Sequence, residues 1–315
     1  MFNQIIDANV NRVCEGLRVV EEYTRFVRSN KPLTQRISKC RKSIHSIFPQ
    51  NPGLLLCRDT ELDARAKELP YRRVDILDIL TANFKRAQEA LRVLEEYTGE
   101  ALCNSLRYDL YDLERDVLLL TQKPDIQKGY YLISDSVDTL KQGIDWKCSI
   151  VQLRDKSASK EEIYNKAKEI SLFAKKNNAL FILNDYIDIA ILLDVDGVHT
   201  GQDDISVKYQ KKLFGDHKLF GRTTHSVDQG LVAQDEGADY VSVGPIWETP
   251  SKPGRKGIGF EYLSQATKAL DIPFVAIGGI DDSNIHRLME FSPPLIGVVR
   301  AFDNIPKWNK RYKKV

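Results

Sequence analysis

Between Gln152 and Asp204 the chain gathers residue types that can hold a phosphorylated ligand and a hard metal ion. The segment QLRDK sets Gln152, Arg154 and Lys156 at alternate positions, which on an extended strand end turns all three to one side. A guanidinium takes phosphate oxygens in pairs and an ammonium adds a point charge, so two such cations suit a diphosphate; salt-bridging at a rim explains the same pair. LNDY and HTGQDD then supply Asn184, Asp185, Asp203 and Asp204. Mg2+ uses such carboxylates when it takes one or two protein ligands and completes its shell with phosphate and water. Helix capping is the alternative for each Asp singly, but as a set beside Arg154 and Lys156 they favour the metal. Further on, GPIWETPSKPGRKG carries Thr249, Ser251 and Lys252 in a glycine- and proline-rich loop suited to a phosphate-gripping lid. IGGI offers the bare backbone amides of Gly278 and Gly279, and the following DDSNI could open a helix and complete a phosphate cradle. GRTTH adds Thr223 and His225, while His199 and His225 read as hydrogen-bonded rim histidines before they read as catalysts.

Each of these clusters ends a short apolar run, and the runs number eight: YYLISD, SIVQLRDK, ALFILND, GVHTGQDD, LFGRTTH, YVSVGPI, PFVAIGGI and LIGVVRAF. Between them lie segments of helical period, such as KEEIYNKAKEISLFAKK and FEYLSQATKAL. Strand and helix therefore alternate, and the fold class expected is α/β: a C-terminal (β/α)8 TIM barrel with its chemistry at the strands' C-terminal ends.

Upstream the pattern is all-α. DANVNRVCEGLRVVEEYTRF (Asp7 to Phe26) recurs as TANFKRAQEALRVLEEYTGE (Thr81 to Glu100) at a constant offset of 74 residues. Val13, Leu17, Val20 and Thr24 share one helical face, and Arg12, Glu15, Arg18 and Glu22 lie on the other side. Packing explains the apolar matches. The polar matches, Asn9 with Asn83, Arg12 with Arg86, Glu15 with Glu89, Arg18 with Arg92, Glu21 and Glu22 with Glu95 and Glu96, and Tyr23 with Tyr97, leave two main explanations open, buried ion pairs across a pseudo-twofold bundle or a paired polar ligand site, with plain solvated surface as the remainder. QKPDIQK interrupts the pattern, so the domains expected are 1–122, a linker at 123–128, and 129–315.

Of 315 residues, 46 are basic and 44 acidic, and the net charge of +2 supplies no field that would recruit nucleic acid or a membrane surface. Five cysteines without a CxxC pair fit a reducing compartment, and no stretch approaches eighteen apolar residues, so a cytoplasmic protein is expected. The partners expected are small-molecule substrates. A homo-oligomer is left open.

Taken together, QLRDK, LND, GVHTGQDD, GADYVSVGPI, the Thr-x-Ser-Lys loop and AIGGI resemble thiamine phosphate synthase over residues 129 to 302. The resemblance implies a Mg2+-dependent barrel enzyme that joins hydroxymethylpyrimidine diphosphate to thiazole phosphate. It assigns the diphosphate to Arg154, Lys156, Asn184 and Lys252, Mg2+ to Asp185 and Asp204, and the pyrimidine to Gln152 and Thr223. The thiazole phosphate falls to Thr249, Ser251 and the Gly279 amide. Arg300 stands where common short members have a serine, and an arginine there can itself grip phosphate. The N-terminal repeats resemble a helical module similar to a family proposed to phosphorylate hydroxymethylpyrimidine phosphate, which would make the chain bifunctional; a structural role is the alternative. An isomerase of the same barrel type, or a non-catalytic phosphate binder, are the rivals for the barrel. The isomerase would not need the paired cations and carboxylates, and Mg2+-dependent pyrophosphate release would separate the synthase from the binder.

Overall fold

Apolar runs that alternate with amphipathic segments have to bury both faces of each strand, and in the computed structural model they do so by closing on themselves. The structure describes residues 2–49, 52–57, 71–249 and 257–311. The chain divides into two compact units, Met1–Gln122 and Lys123–Val315.

The second unit is a closed parallel barrel of eight strands in sequence order. They are β1 Gly129–Ser134, β2 Ile150–Leu153, β3 Leu180–Asn184, β4 Gly197–Thr200, β5 Leu219–Thr224, β6 Tyr240–Val243, β7 Phe274–Ile277 and β8 Leu295–Val298. β1 pairs with β8 to complete the ring. Because side chains alternate across each strand, one set fills the interior, including Tyr131, Ile150, Ile182, Leu219, Tyr240, Val275 and Leu295. The other set, including Leu132, Val151, Phe181, Val198, Phe220 and Val241, packs under the helices. Those helices are α6 Val137–Asp145, α7 Lys160–Lys176, α8 Ile187–Leu193, α9 Val207–Phe214, α10 Val227–Asp235, α11 Gly259–Ala269, α12 Ile285–Met289 and α13 Ile305–Arg311. A reciprocal Ser159/Glu162 capping box starts α7, the segment whose helical period is plainest in the sequence. The residues 123–128 anticipated as a linker are tied to the barrel: Lys123 is buried against the Asp239 carboxylate at 2.5 Å, and Ile126 packs on the interior cluster.

The first unit holds four long helices, α1 Asn3–Glu22, α2 Lys31–Ile47, α4 Ile76–Thr98 and α5 Ala101–Gln122, with a single turn α3 at Pro52–Leu55. The repeat-related helices α1 and α4 share one core, Val10, Val13, Leu17 and Val20 with Phe84, Ala87, Leu91 and Leu94. A Cβ on Gly16 would lie 2.8 Å from the Asn83 carbonyl oxygen, so this crossing tolerates only glycine.

Candidate active site

The eight strand ends enclose a cavity of about 330 Å3 whose walls include Gln152, Arg154, Asn184, Thr223, Thr249, Gly279 and Arg300. Seven of the anticipated substrate residues therefore meet in one place. Ser251 and Lys252 lie outside the described residues.

The floor of this cavity is a chain of side-chain hydrogen bonds. Gln152 donates through Nε2 to the Tyr131 hydroxyl at 2.8 Å, and the Tyr131 and Tyr240 hydroxyls share a bond of 2.7 Å. His199 Nδ1 meets the Tyr240 hydroxyl at 3.3 Å, and its Nε2 meets Thr223 Oγ1 at 3.0 Å. Burial raises both phenol pKa values far above their ordinary range, so the two tyrosines stay neutral hydrogen-bonding groups. The chain of bonds fixes the Gln152 amide and the Thr223 hydroxyl. His199, expected at the rim, is instead a buried interior residue stacked on Tyr240 with ring centroids 5.5 Å apart. Tyr131 and Tyr240 escape a reading of the sequence because a strand tyrosine looks like any other core residue; the only available signal is their inward phase in β1 and β6. His225 bonds the Gly244 carbonyl through Nδ1 at 2.7 Å.

On the β2 to β4 side the rim is charged. β2 ends at Leu153, so strand alternation carries Gln152 and Arg154 to the cavity but does not reach Lys156. Lys156 is exposed and ion-paired with Asp185. What shapes this stretch is Asp155, whose carboxylate accepts from Ser157 N–H at 3.0 Å, Ala158 N–H at 3.0 Å and the Lys166 ammonium at 2.7 Å. Chiefly through Lys166, and then through the loop amides, its pKa is held well below the usual carboxylate range.

Asp185 sits just past β3 at φ 64, a left-handed position that Asp tolerates better than most residues, with its N–H donated to the His199 carbonyl at 2.9 Å. Asp204 is exposed in the loop after β4, where its Oδ2 accepts from Gly201 N–H at 2.7 Å. Neither is a helix cap: α8 begins after Tyr186 and α9 after Ser206. Among the described residues no group of three or more His, Cys, Asp or Glu could hold a metal ion, so these loops do not make an all-protein cage. Two carboxylates on neighbouring strand ends do match the donor set of an ion that takes most of its shell from phosphate and water.

The β7 to β8 side is built from backbone. Gly278 and Gly279 have φ of 108 and 65, and added Cβ atoms would come within 2.5 Å of Pro245 and 2.7 Å of Trp247 Cβ respectively. Contrary to expectation, no helix starts at Asp281: the chain turns, Asn284 donates to the Gly279 carbonyl at 2.7 Å, and α12 begins only at Ile285. Any anion held here meets loop amides rather than a helix terminus. Arg300 faces this cradle from the end of β8, and the carboxylates of Glu248 and Asp281, not anticipated, also line the wall.

In the helical unit the polar repeat residues behave differently. Arg12, Glu15, Arg86 and Glu89 are exposed, which removes the buried-ion-pair explanation for these four, whereas the matched Glu21 and Glu95 each pair with an arginine of a neighbouring helix, Arg41 at 3.0 Å and Arg107 at 3.4 Å. Asn9 and Asn83 each donate Nδ2 to the carbonyl four residues back, Ile5 and Ile79, both at 2.8 Å, and Arg12 donates to Asn9 Oδ1 at 3.2 Å. Asp7 and Glu21 are buried acids of this unit, and the Arg41 that pairs with Glu21 belongs to α2. Burial pushes the Cys40 and Cys103 thiols up to about 11, consistent with packing roles.

Residues 126–302 match the family model described as thiamine monophosphate synthase, and residues 4–116 match the ThiD2 family. The thiamine-phosphate synthase of Synechocystis sp. is 36% identical over 314 residues, covering 95% of this chain and 90% of that protein. That of Nostoc punctiforme is 35% identical, covering 95% and 88%. Among solved structures, thiamine phosphate pyrophosphorylase from Pyrococcus furiosus superposes with a TM-score of 0.53 at 25% identity, covering 59% of this chain and 97% of that one. Full-length similarity of this order, on a barrel whose mouth gathers the expected ligand-binding residues, establishes that the chain belongs to the thiamine-phosphate synthase family, transferases of thiamine biosynthesis.

Proposed function

We propose that the barrel condenses hydroxymethylpyrimidine diphosphate with thiazole phosphate in a Mg2+-dependent reaction, giving thiamine phosphate and pyrophosphate. The observation that carries this reading is the two-sided cavity, with Arg154 and Asn184 on one wall, Gly278, Gly279 and Arg300 on the other, and the apolar Ile133, Val275 and Ile277 also lining it. Arg154, Lys156 and Asn184 hold the diphosphate, while Gln152 and Thr223, fixed by the floor chain, orient the pyrimidine. Thr249, the Gly279 amide and Arg300 take the thiazole phosphate. Asp185 and Asp204 would hold Mg2+, which when bound supplies positive charge against the departing diphosphate.

The methylene C–O bond breaks first and its electron pair leaves with pyrophosphate. An electron-rich aminopyrimidine stabilises the resulting cation, and the thiazole nitrogen then forms the C–N bond. No side-chain nucleophile is required. The residues contribute by neutralising the leaving charge and by holding the two partners at attack distance, which can supply several kcal/mol of the barrier reduction. Pyrophosphate release and thiamine phosphate formation by the purified full chain with both substrates, with and without Mg2+, test the reading; no thiamine phosphate, or indifference to Mg2+, sinks it.

For the helical unit we propose phosphorylation of the pyrimidine monophosphate, so that one chain makes the diphosphate and consumes it. What favours this over a purely structural role is that Arg12, Glu15, Arg86 and Glu89 are duplicated yet exposed, where packing gives no reason for their identity. ATP-dependent conversion of the monophosphate is the test, and its absence returns the unit to scaffolding. Among the described residues no helix is long and apolar enough to cross a membrane. With free cysteines and a near-neutral charge, we place the protein in the cytoplasm, acting on small molecules and not on nucleic acid.

A further inference from the structure

Outward-facing strand residues of this barrel are mostly aliphatic or aromatic, as Val198 on β4 and Phe220 and Val241 on β5 and β6 illustrate. Arg222 of β5 breaks that rule. It pairs in register with Thr200 and Val241, is 7% exposed, and lies on the opposite face from Thr223, which lines the cavity. Its guanidinium makes four hydrogen bonds. Nη1 donates to Thr200 Oγ1 at 3.2 Å and to the Ile205 carbonyl at 3.0 Å, and Nη2 donates to the carbonyls of Gln202 at 3.1 Å and Asp204 at 2.9 Å. All four acceptors are neutral oxygens, so the charge is satisfied by one loop and not by a carboxylate.

That loop is the one carrying Asp204. Buried Gln210 of α9 reinforces the arrangement, donating Nε2 to Thr200 Oγ1 at 2.9 Å and to the Ile205 carbonyl at 2.7 Å. From the loop side, Gln202 donates its amide back to the Thr223 carbonyl. Three carbonyls in four residues are thus pinned to β5, and the Asp204 carboxylate, held by Gly201 N–H, has its main chain fixed on both sides.

We propose that Arg222 is a positioning residue that sets the Asp204 carboxylate for metal binding at the barrel mouth. The proposal rests on the assignment of Asp204 as a Mg2+ ligand. A planar guanidinium can reach carbonyls spread over this loop at once, whereas the single ammonium of lysine cannot. Partners that orient metal ligands typically change affinity by about 10- to 100-fold when removed.

Three variants of the full chain, Arg222→Lys, Thr200→Val and Asp204→Ala, are compared by Mn2+ binding in the presence of inorganic pyrophosphate, followed by electron paramagnetic resonance, and by KM for thiazole phosphate at saturating Mg2+. Arg222→Lys should weaken Mn2+ binding about tenfold while leaving the thiazole-phosphate KM within about twofold, because the other wall does not depend on this loop. Thr200→Val, which removes only the hydroxyl that Arg222 and Gln210 share, should shift Mn2+ affinity in the same direction by about threefold, a smaller effect because the three loop-carbonyl bonds of Arg222 remain. Unchanged Mn2+ affinity in Arg222→Lys, or a KM that rises in step with the metal dissociation constant, overturns the proposal. Should Arg222→Lys fail to fold, unchanged affinity in Thr200→Val overturns it instead. Asp204→Ala separates the two ideas: parental Mn2+ affinity there removes the metal assignment itself, whereas lost affinity there with an unaltered Arg222→Lys removes only the role of Arg222.

Discussion

Polar side chains are organised in opposite ways in the two units. In the barrel they converge from distant strands: Tyr131 meets Tyr240, and His199 bridges Tyr240 and Thr223. Along the repeat helices most bonds close locally, Asn9 to Ile5, Asn83 to Ile79, Arg18 to Glu22 and Arg92 to Glu96. Only a few, such as Glu21 with Arg41 and Gln88 with Glu114, tie one helix to the next. Convergence builds a site because it brings unlike chemistries within reach of one ligand. Repetition along a helix builds a bundle, and it leaves polar residues whose identity the bundle does not explain.

The contrast is tested most severely at the rim. Asp185→Ala and Asp204→Ala each leave the interior and helix-packed cores untouched, since neither side chain contributes to them. If both carboxylates stabilise charge in the transition state, each loss should cost on the order of 3 kcal/mol, about a hundredfold in rate, with the melting temperature little changed in Asp204→Ala and modestly lowered in Asp185→Ala, where alanine meets the left-handed φ of 64. Steady-state pyrophosphate release together with thermal melts checks this; near-parental rates in both variants would withdraw the metal assignment.

A smaller effect is expected for Arg154→Lys, which keeps the charge and loses the fork. Activity should drop by about tenfold, expressed in the diphosphate substrate and hardly in thiazole phosphate. Equal weakening of both substrates would mean that Arg154 braces the rim instead of binding one ligand.

The barrel was legible in the sequence for a physical reason: each apolar run is short, is followed by polar residues, and in most cases is separated from the next by a helical period. The cavity residues at the first or second position past a strand were legible too, because alternation survives that far. It fails at Lys156, where Asp155 turns the chain; at His199 alternation gives the inward phase but not the contact, because Tyr240 is 41 residues away and the two meet through barrel closure. Arg222 is hidden for a related reason, since nothing in GRTTH says that its side chain faces the helices and bonds the carbonyls of the loop before it. In the repeats the apolar matches correctly marked the α1 and α4 core, but exposure of the matched charges is a property of helix packing that spacing alone could not give.

Asp155 offers a test that is graded by pH. Its folded pKa is depressed, so the stability it lends is fully present above the unfolded carboxylate value of about 3.9 and is lost as pH falls from there towards the folded value. Asp155→Asn should lower the melting temperature at neutral pH by about 2 to 4 °C, the scale expected for one charged hydrogen-bonding group in a chain of this size. Below about pH 4 the parent and variant curves should draw together. Curves that stay parallel through that window would show that the loop does not depend on the ionised carboxylate.

The smallest structural effect, and the sharpest test of the contrast, belongs to Arg12→Ala combined with Arg86→Ala. Both side chains are exposed, and the apolar α1 and α4 core lies on other positions. Exposed substitutions away from special features usually change stability by less than about 0.5 kcal/mol, so melting of the helical unit should be unaffected. Coupling of preformed pyrimidine diphosphate to thiazole phosphate should also be unaffected, because every residue of the proposed synthase site lies in the barrel unit. If the duplicated arginines hold the phosphorylated pyrimidine, the double variant should nevertheless lose ATP-dependent conversion of the monophosphate. A variant that converts the monophosphate as the parent does would assign the matched arginines to the solvated surface of the bundle, and a parent chain that shows no conversion at all would leave the helical unit as a scaffold. A variant that melts early would show instead that the exposed faces carry packing energy absent from the bonds described for them.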